Sequence, residues 1–153
     1  MSHIPGFGFF ERHREKGAVF VRLVVGFVLV YGTQDNVFSN ERMVEFRDFL
    51  AVRGVPFPLS AALVSAYAQF VCGILYVLGL FVRPAALVMV VNFVAALVIA
   101  HLDAPLDAAR LALCMLFSSL FLLFNGAGAL SLDDHLSSRR VKSEADGKKE
   151  EAR

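Results

Sequence analysis

The residue types best suited to proton chemistry gather near the ends of three apolar segments. They are Tyr31, Gln34, Asp35, His101, Asp103, Asp107 and Arg110. Histidine titrates near neutrality and a nearby carboxylate tunes it, so this outer group could exchange protons with a redox ligand or bind a polar head group. The alternative is a solvated loop in which Asp107 pairs with Arg110 at i, i+3.

Two amide side chains, Gln69 and Asn92, lie near the middle of long apolar segments. A polar side chain inside a membrane helix is costly, which makes both residues functional candidates. If their helices are antiparallel neighbours, the two amides can meet. They would then either hydrogen-bond one helix to the other or bind the carbonyl group of a ligand.

A third polar layer, Arg22, Arg83 and Asn125, lies at the opposite end of the segments from the outer group. Both arginines can extend to lipid phosphates. For Arg22, which lies deeper, a carboxylate partner such as Asp133 is the alternative.

Motifs of self-contained catalysis are missing from the chain. Cys72 and Cys114 stand singly, and the sequence has no C-x-x-C, H-E-x-x-H, P-loop or paired haem histidines. We therefore predict no metal or haem site, and the motifs do not decide whether the chain is itself an enzyme. Fifteen Lys and Arg against fourteen Asp and Glu do not indicate a nucleic-acid partner.

The elements that position these residues are four apolar segments. The chain is 57% hydrophobic with a mean hydropathy of +0.61, and a soluble bundle would need the polar helix faces that these segments lack. We predict an all-α polytopic membrane protein, a bundle of four transmembrane helices in the lipid bilayer. The helices are predicted at about 17–35, 59–82, 84–101 and 107–125.

A different kind of segment separates the first two helices. Residues 40–52 alternate charged side chains with Met43, Phe46, Phe49 and Leu50, which predicts a short amphipathic helix at the membrane interface. Residues 1–136 would thus form one membrane domain. The Lys-, Glu- and Ser-rich residues 137–153 are predicted to be a disordered, charged cytoplasmic tail.

The distribution of Lys and Arg predicts the orientation. Three lie before the first helix, one lies at the turn after the second helix, and six lie in the C-terminal tail. The opposite side has three, Arg42, Arg47 and Arg53. Positive charge is retained inside, so both termini are expected in the cytoplasm.

Three stretches carry a family resemblance: residues 22–32, 73–86 and 126–133. Their characteristic residues are Arg22, Gly26, Gly32, Gly73, Gly79, Arg83, Gly126, Gly128, Ser131 and Asp133. Over residues 18–136 the chain resembles the DoxX family, most specifically in Gly79-Leu-x-x-Arg83 and Gly126-x-Gly128-x-x-Ser131-Leu-Asp133. It departs from the family at Gln69, where many members carry a glutamate, so a proton step at that position is in doubt.

The resemblance implies a bacterial inner-membrane protein of four helices, associated with oxidoreductase complexes and with thiol or oxidative stress. The first hypothesis is a quinone-linked redox subunit acting with a partner oxidoreductase. Its ligand-binding residues would be Tyr31, Gln34, Asp35, Gln69, Asn92, His101 and Arg110. The alternatives are a non-catalytic membrane anchor or assembly subunit, which could form a homo-oligomer, and a small-molecule or metal transporter.

Overall fold

The computed structural model describes residues 14–100, 106–128 and 131. Within these residues every regular element is an α-helix. The helices are α1 (Arg14–Phe38), α2 (Asn40–Val52), α3 (Pro58–Leu78), α4 (Val82–Ala100) and α5 (Leu106–Asn125). The predicted all-helical class is therefore confirmed for the described part of the chain, whereas the tail at 137–153 lies outside it.

The helices α1 and α3 pack antiparallel and very closely. A Cβ atom added at Gly26 would lie 2.8 Å from the Gly73 carbonyl oxygen, and one added at Gly73 would lie 3.0 Å from the Gly26 oxygen. Each glycine therefore lets the backbone of one helix touch the other, a packing mode that small residues provide in membranes. This contact holds α1 against the helix that carries Gln69.

The turn between α3 and α4 is longer than the sequence indicated and lies earlier in the chain, at residues 79–81. The second helix was predicted to reach residue 82, but α3 ends at Leu78 because Gly79 adopts a left-handed φ of +69°. The Gly79 and Leu80 amides donate to the carbonyls of Tyr76 and Leu75, which is the Schellman pattern that ends a helix. Consequently α4 starts at Val82, two residues before the predicted 84.

The short helix α2 follows α1 after a single break at Ser39. Its buried side chains Met43 and Leu50 pack against Ala62 and Ala66 of α3. Its outer face carries exposed charges, including an Arg42–Glu45 pair at 2.9 Å. The hydrogen bond to Glu45 is the main reason that the pKa of Arg42 is raised, so this guanidinium stays charged.

A core of apolar side chains lies where α1, α3, α4 and α5 meet. Its largest fully buried members are Tyr76, Met89, Leu122 and Val82. Much of the outer surface is also apolar, which a bilayer tolerates and water does not. Three spans are long and apolar enough to cross a membrane, Lys16–Phe38, Pro58–Leu78 and Val82–Ala100, while the apolar part of α5, Ala109–Asn125, is shorter.

Candidate ligand site

A cavity of about 590 Å³ lies between α3, α4 and α5, with α2 along one end. This volume is in the range of pockets that hold drug-sized ligands. The side chains that line it come from four helices and from the loop between α2 and α3. They are Phe46, Phe49, Leu50, Val55, Ala61, Val64, Ser65, Ala68, Gln69, Val88, Val91, Asn92, Phe93, Ala95, Ala96, Ile99, Ala100, Leu111 and Ala112.

A hydrogen-bonded polar group interrupts this apolar lining. Gln69 Nε2 donates to Ser65 Oγ at 3.1 Å, and Ser65 Oγ donates to Asn92 Oδ1 at 2.8 Å. We call these three residues the amide clasp. Ser65 and Gln69 are one turn apart on α3, so the same face of that helix presents both to Asn92 on α4.

The cavity also opens sideways. Val64, Val91 and Leu111 line it and are at the same time 71%, 64% and 63% exposed. These side chains lie on the outer flanks of apolar helices, which face lipid in a bilayer. A molecule dissolved in the membrane could therefore enter from the side without passing through water.

No charged side chain is among the described residues that line the cavity. Burying an unpaired charge among apolar walls would be costly, and none of these described residues would compensate the charge of a ligand. The chemistry that the cavity offers is apolar contact along most of its length and neutral hydrogen bonding at the clasp. This arrangement fits a neutral, mostly apolar molecule with a carbonyl or hydroxyl group.

The other predicted ligand residues that the structure describes, Tyr31, Gln34, Asp35 and Arg110, do not line this cavity. Tyr31 is exposed and stacks on Phe27 of the same helix, with ring centroids 5.8 Å apart, and Gln34 and Asp35 follow it on α1. Arg110 forms an exposed i, i+3 pair with Asp107 at 3.3 Å. His101 and Asp103 lie outside the described residues.

At the opposite end, where α3 passes to α4 and α5 ends, the sequence motifs converge. We call this end the motif side. The buried Arg22 donates from Nη1 to the Ala127 carbonyl at 2.9 Å, and its guanidinium lies directly against Gly79. Arg83 lies beside Gly126, where an added Cβ would be 3.2 Å from its Nε.

The glycine-rich segment after α5 turns tightly here. Gly126 and Gly128 both have left-handed φ values, 76° and 71°, which glycine adopts without strain. Ser131 is buried, whereas Asp133 lies outside the described residues. The stretches that are far apart in sequence therefore form one structural unit around two arginines.

Comparison with known proteins agrees with these motifs. The family model described as DoxX matches residues 17–102, more than half of the chain. The chain belongs to the DoxX family. It is also 35% identical over 100 residues to the "Uncharacterized membrane protein Rv3486" of Mycobacterium tuberculosis.

That match covers 56% of this chain and 61% of the relative, so it spans less than two thirds of the relative's length. No solved structure matches the chain significantly. The family match includes α1 to α4 and with them the amide clasp, whereas α5 lies beyond its last matched residue. The predicted family resemblance is thus confirmed, and the chain is a DoxX-family membrane protein.

Two features of this DoxX-family protein were not predicted as site residues. Ser65 joins the two amides, and the i, i+4 spacing of Ser65 and Gln69 is the signal that could have revealed it. The hydroxyls of Tyr76 and Ser119 are fully buried and face each other between α3 and α5, and neither makes a hydrogen bond of good geometry with a described residue. A pair that depends on how two distant helices pack has no local sequence signal.

Proposed function

We propose that this DoxX-family protein is a quinone-linked membrane subunit of a redox or thiol-stress system. The observation that supports the proposal best is the laterally open cavity, whose described lining residues carry no charge, with the amide clasp on its wall. A quinone is neutral and lipid-soluble and carries carbonyl oxygens on one ring. These properties match the entry route, the lining and the clasp.

The chain's own residues would bind and orient the head group. The N–H groups of Gln69 and Asn92 would donate to ring carbonyls, while the apolar side chains along α4 would contact the hydrocarbon tail. When bound, a quinone supplies reversible two-electron chemistry. The side chains of glutamine, asparagine and serine are not redox-active, so a partner oxidoreductase would supply or accept the electrons.

The placement in the membrane is part of the same proposal. We place α1, α3, α4 and α5 across a bacterial inner membrane, and α2 at its interface. Both termini would then lie in the cytoplasm, on the motif side. The charge count supports this orientation, because most Lys and Arg residues flank that side.

Mass spectrometry of the gently purified protein tests the proposal. We expect a stoichiometric quinone in the wild-type protein, and its loss from an Asn92→Leu, Gln69→Leu double variant. Two control variants, Arg110→Ala and Asn125→Ala, alter polar residues that do not line the cavity. Both variants should retain the quinone. A wild-type protein free of quinone, or a double variant that keeps it, would reject the proposal.

The exposed face of α2 favours one second candidate, a non-catalytic anchor or assembly subunit. Exposed ion pairs, Arg42 with Glu45 and Arg47 with Asp48, are presented away from the bundle. A partner protein could bind this charged surface without any ligand in the cavity. Co-purification of one partner from native membranes, lost in an Arg42→Glu, Arg47→Glu variant but not in Asn92→Leu, would favour this function.

A further inference from the structure

The amide clasp also indicates which redox form of the ligand the cavity accepts. We infer that the cavity binds the oxidised, carbonyl-bearing form and the reduced, hydroxyl-bearing form of a neutral quinone with nearly equal affinity. This inference rests on the proposed function and goes beyond it. It describes a site that exchanges its ligand in both redox states instead of trapping one.

The Ser65 hydroxyl has a single hydrogen to donate, and it connects the two amides. Ser65 accepts a hydrogen bond from Gln69 and donates one to Asn92 Oδ1. A hydroxyl that connects two amides in this way uses the N–H of one and the carbonyl of the other. If both amides turned over, the direction would reverse, but one donor and one acceptor would still be used.

The amide clasp leaves hydrogen-bonding groups available for a ligand. Asn92 keeps both N–H groups of Nδ2, and Gln69 keeps its Oε1 and one N–H, since neither makes another hydrogen bond with the described residues. The cavity wall therefore offers donors and an acceptor side by side. A carbonyl oxygen can accept from Asn92, and a hydroxyl can donate to Gln69.

None of the described residues that line the cavity is charged. A lysine or arginine in the wall would favour the carbonyl form, and an aspartate or glutamate would favour the hydroxyl form, because charged hydrogen bonds are roughly twice as strong as neutral ones. Neutral hydrogen bonds of similar strength, about 1 kcal/mol each, replace one another when the ligand changes form. Neither form then gains a large advantage.

The role of Gln69 follows from this comparison. A glutamate in place of Gln69 would put a carboxylate in the wall and bias it towards a hydroxyl-bearing ligand. The amide removes that bias while it keeps the hydrogen bond to Ser65. The amide thus allows a ligand to bind at this position without a proton transfer.

The experiment compares two probes, decylubiquinone and decylubiquinol, on the purified full chain in nanodiscs under argon. Isothermal titration calorimetry should give dissociation constants within about threefold of each other, as expected for exchange of neutral hydrogen bonds. For a two-electron couple this ratio corresponds to a midpoint-potential shift of at most about 14 mV on binding. Redox titration of the bound probe provides that second readout.

Variants locate the effect. Ser65→Ala should weaken the binding of both probes by a similar factor, because the serine orients both amides. Ser60→Ala on the same helix should leave both affinities unchanged. The Asn92→Leu, Gln69→Leu variant should bind neither. Equal binding that survives in this double variant would reflect partition into lipid and would overturn the inference.

The two proposals fail in different ways. If neither probe binds to the wild-type protein, the quinone function itself is wrong and the inference falls with it. If one form binds at least tenfold more tightly and the double variant loses it, the quinone function stands and the inference is wrong. A Ser65→Ala variant that changes the ratio of the two affinities would also overturn it.

Discussion

At the scale of single residues, the contact between Gly79 and Arg22 combines two requirements for glycine. The backbone of Gly79 is left-handed, with φ at +69°, and the guanidinium of Arg22 lies where a side chain would begin. Arg22 itself is only 3% exposed and donates to the Ala127 carbonyl. This one glycine therefore permits both the end of α3 and the position of a buried charge.

We expect Gly79→Ala to destabilise the fold. The left-handed conformation alone costs an L-residue about 1–2 kcal/mol, and displacement of Arg22 adds to that. Thermal unfolding in detergent, followed by size-exclusion chromatography of heated samples, measures the change. The matched control is Gly32→Ala, because nothing lies within 4 Å of a Cβ at Gly32. An alanine inside that helix should be neutral or stabilising by up to about 1 kcal/mol, and equal stability of the two variants would contradict this account.

At the scale of helices, the Gly26–Gly73 contact sets the distance between α1 and α3. We expect Gly26→Ala to destabilise the pair by about 1–3 kcal/mol, the usual cost of overpacking. The added methyl group would meet the Gly73 carbonyl oxygen at 2.8 Å and Val77 Cγ2 at 2.9 Å. The backbone of a helix cannot move aside as the end of a flexible side chain can, so the two helices must separate.

The same unfolding assay measures this effect, again beside Gly32→Ala on the same helix. Gly73→Ala should lower the stability by a similar amount, since its added methyl group would meet the Gly26 carbonyl oxygen of α1 at the same helix contact. The double variant should cost less than the sum, because one separation of the helices relieves both contacts. Wild-type stability in both single variants would show that α1 and α3 do not pack backbone to backbone.

The sequence predicts the helices of this protein better than the faces they turn to one another. Long apolar segments identify α1, α3 and α4, and Gln69 and Asn92 share a depth that sequence position reveals. Depth alone does not bring residues together, however. Tyr31 and Arg110 point away from the cavity because rotation about each helix axis depends on packing contacts such as Gly26 with Gly73. Ser65 differs from them, because its i, i+4 spacing to Gln69 is a local signal that places both side chains on one face of α3.

At the scale of the whole molecule, the remaining question is how the bundle sits in the membrane. On the motif side α1 begins, α3 passes to α4 at the turn before Arg83, and α5 ends. Ten Lys and Arg residues flank these helix ends in the sequence. The opposite side has only three, Arg42, Arg47 and Arg53, on α2 and directly after it. Retention of positive charge inside therefore favours the motif side as the cytoplasmic side.

Cysteine labelling tests this orientation. In a background without Cys72 and Cys114, a single cysteine at the exposed Asn40 should react with a membrane-impermeant maleimide on intact spheroplasts. One placed at Ser143 in the tail should react only after the membrane is permeabilised, because four crossings return the chain to the cytoplasm. Labelling at Ser143 from outside but not at Asn40 would reverse the orientation. Labelling of both from outside would mean that the chain crosses the membrane an even number of times between them. The helix α5, whose apolar part is shorter than the other three spans, would then be the one that does not span the membrane.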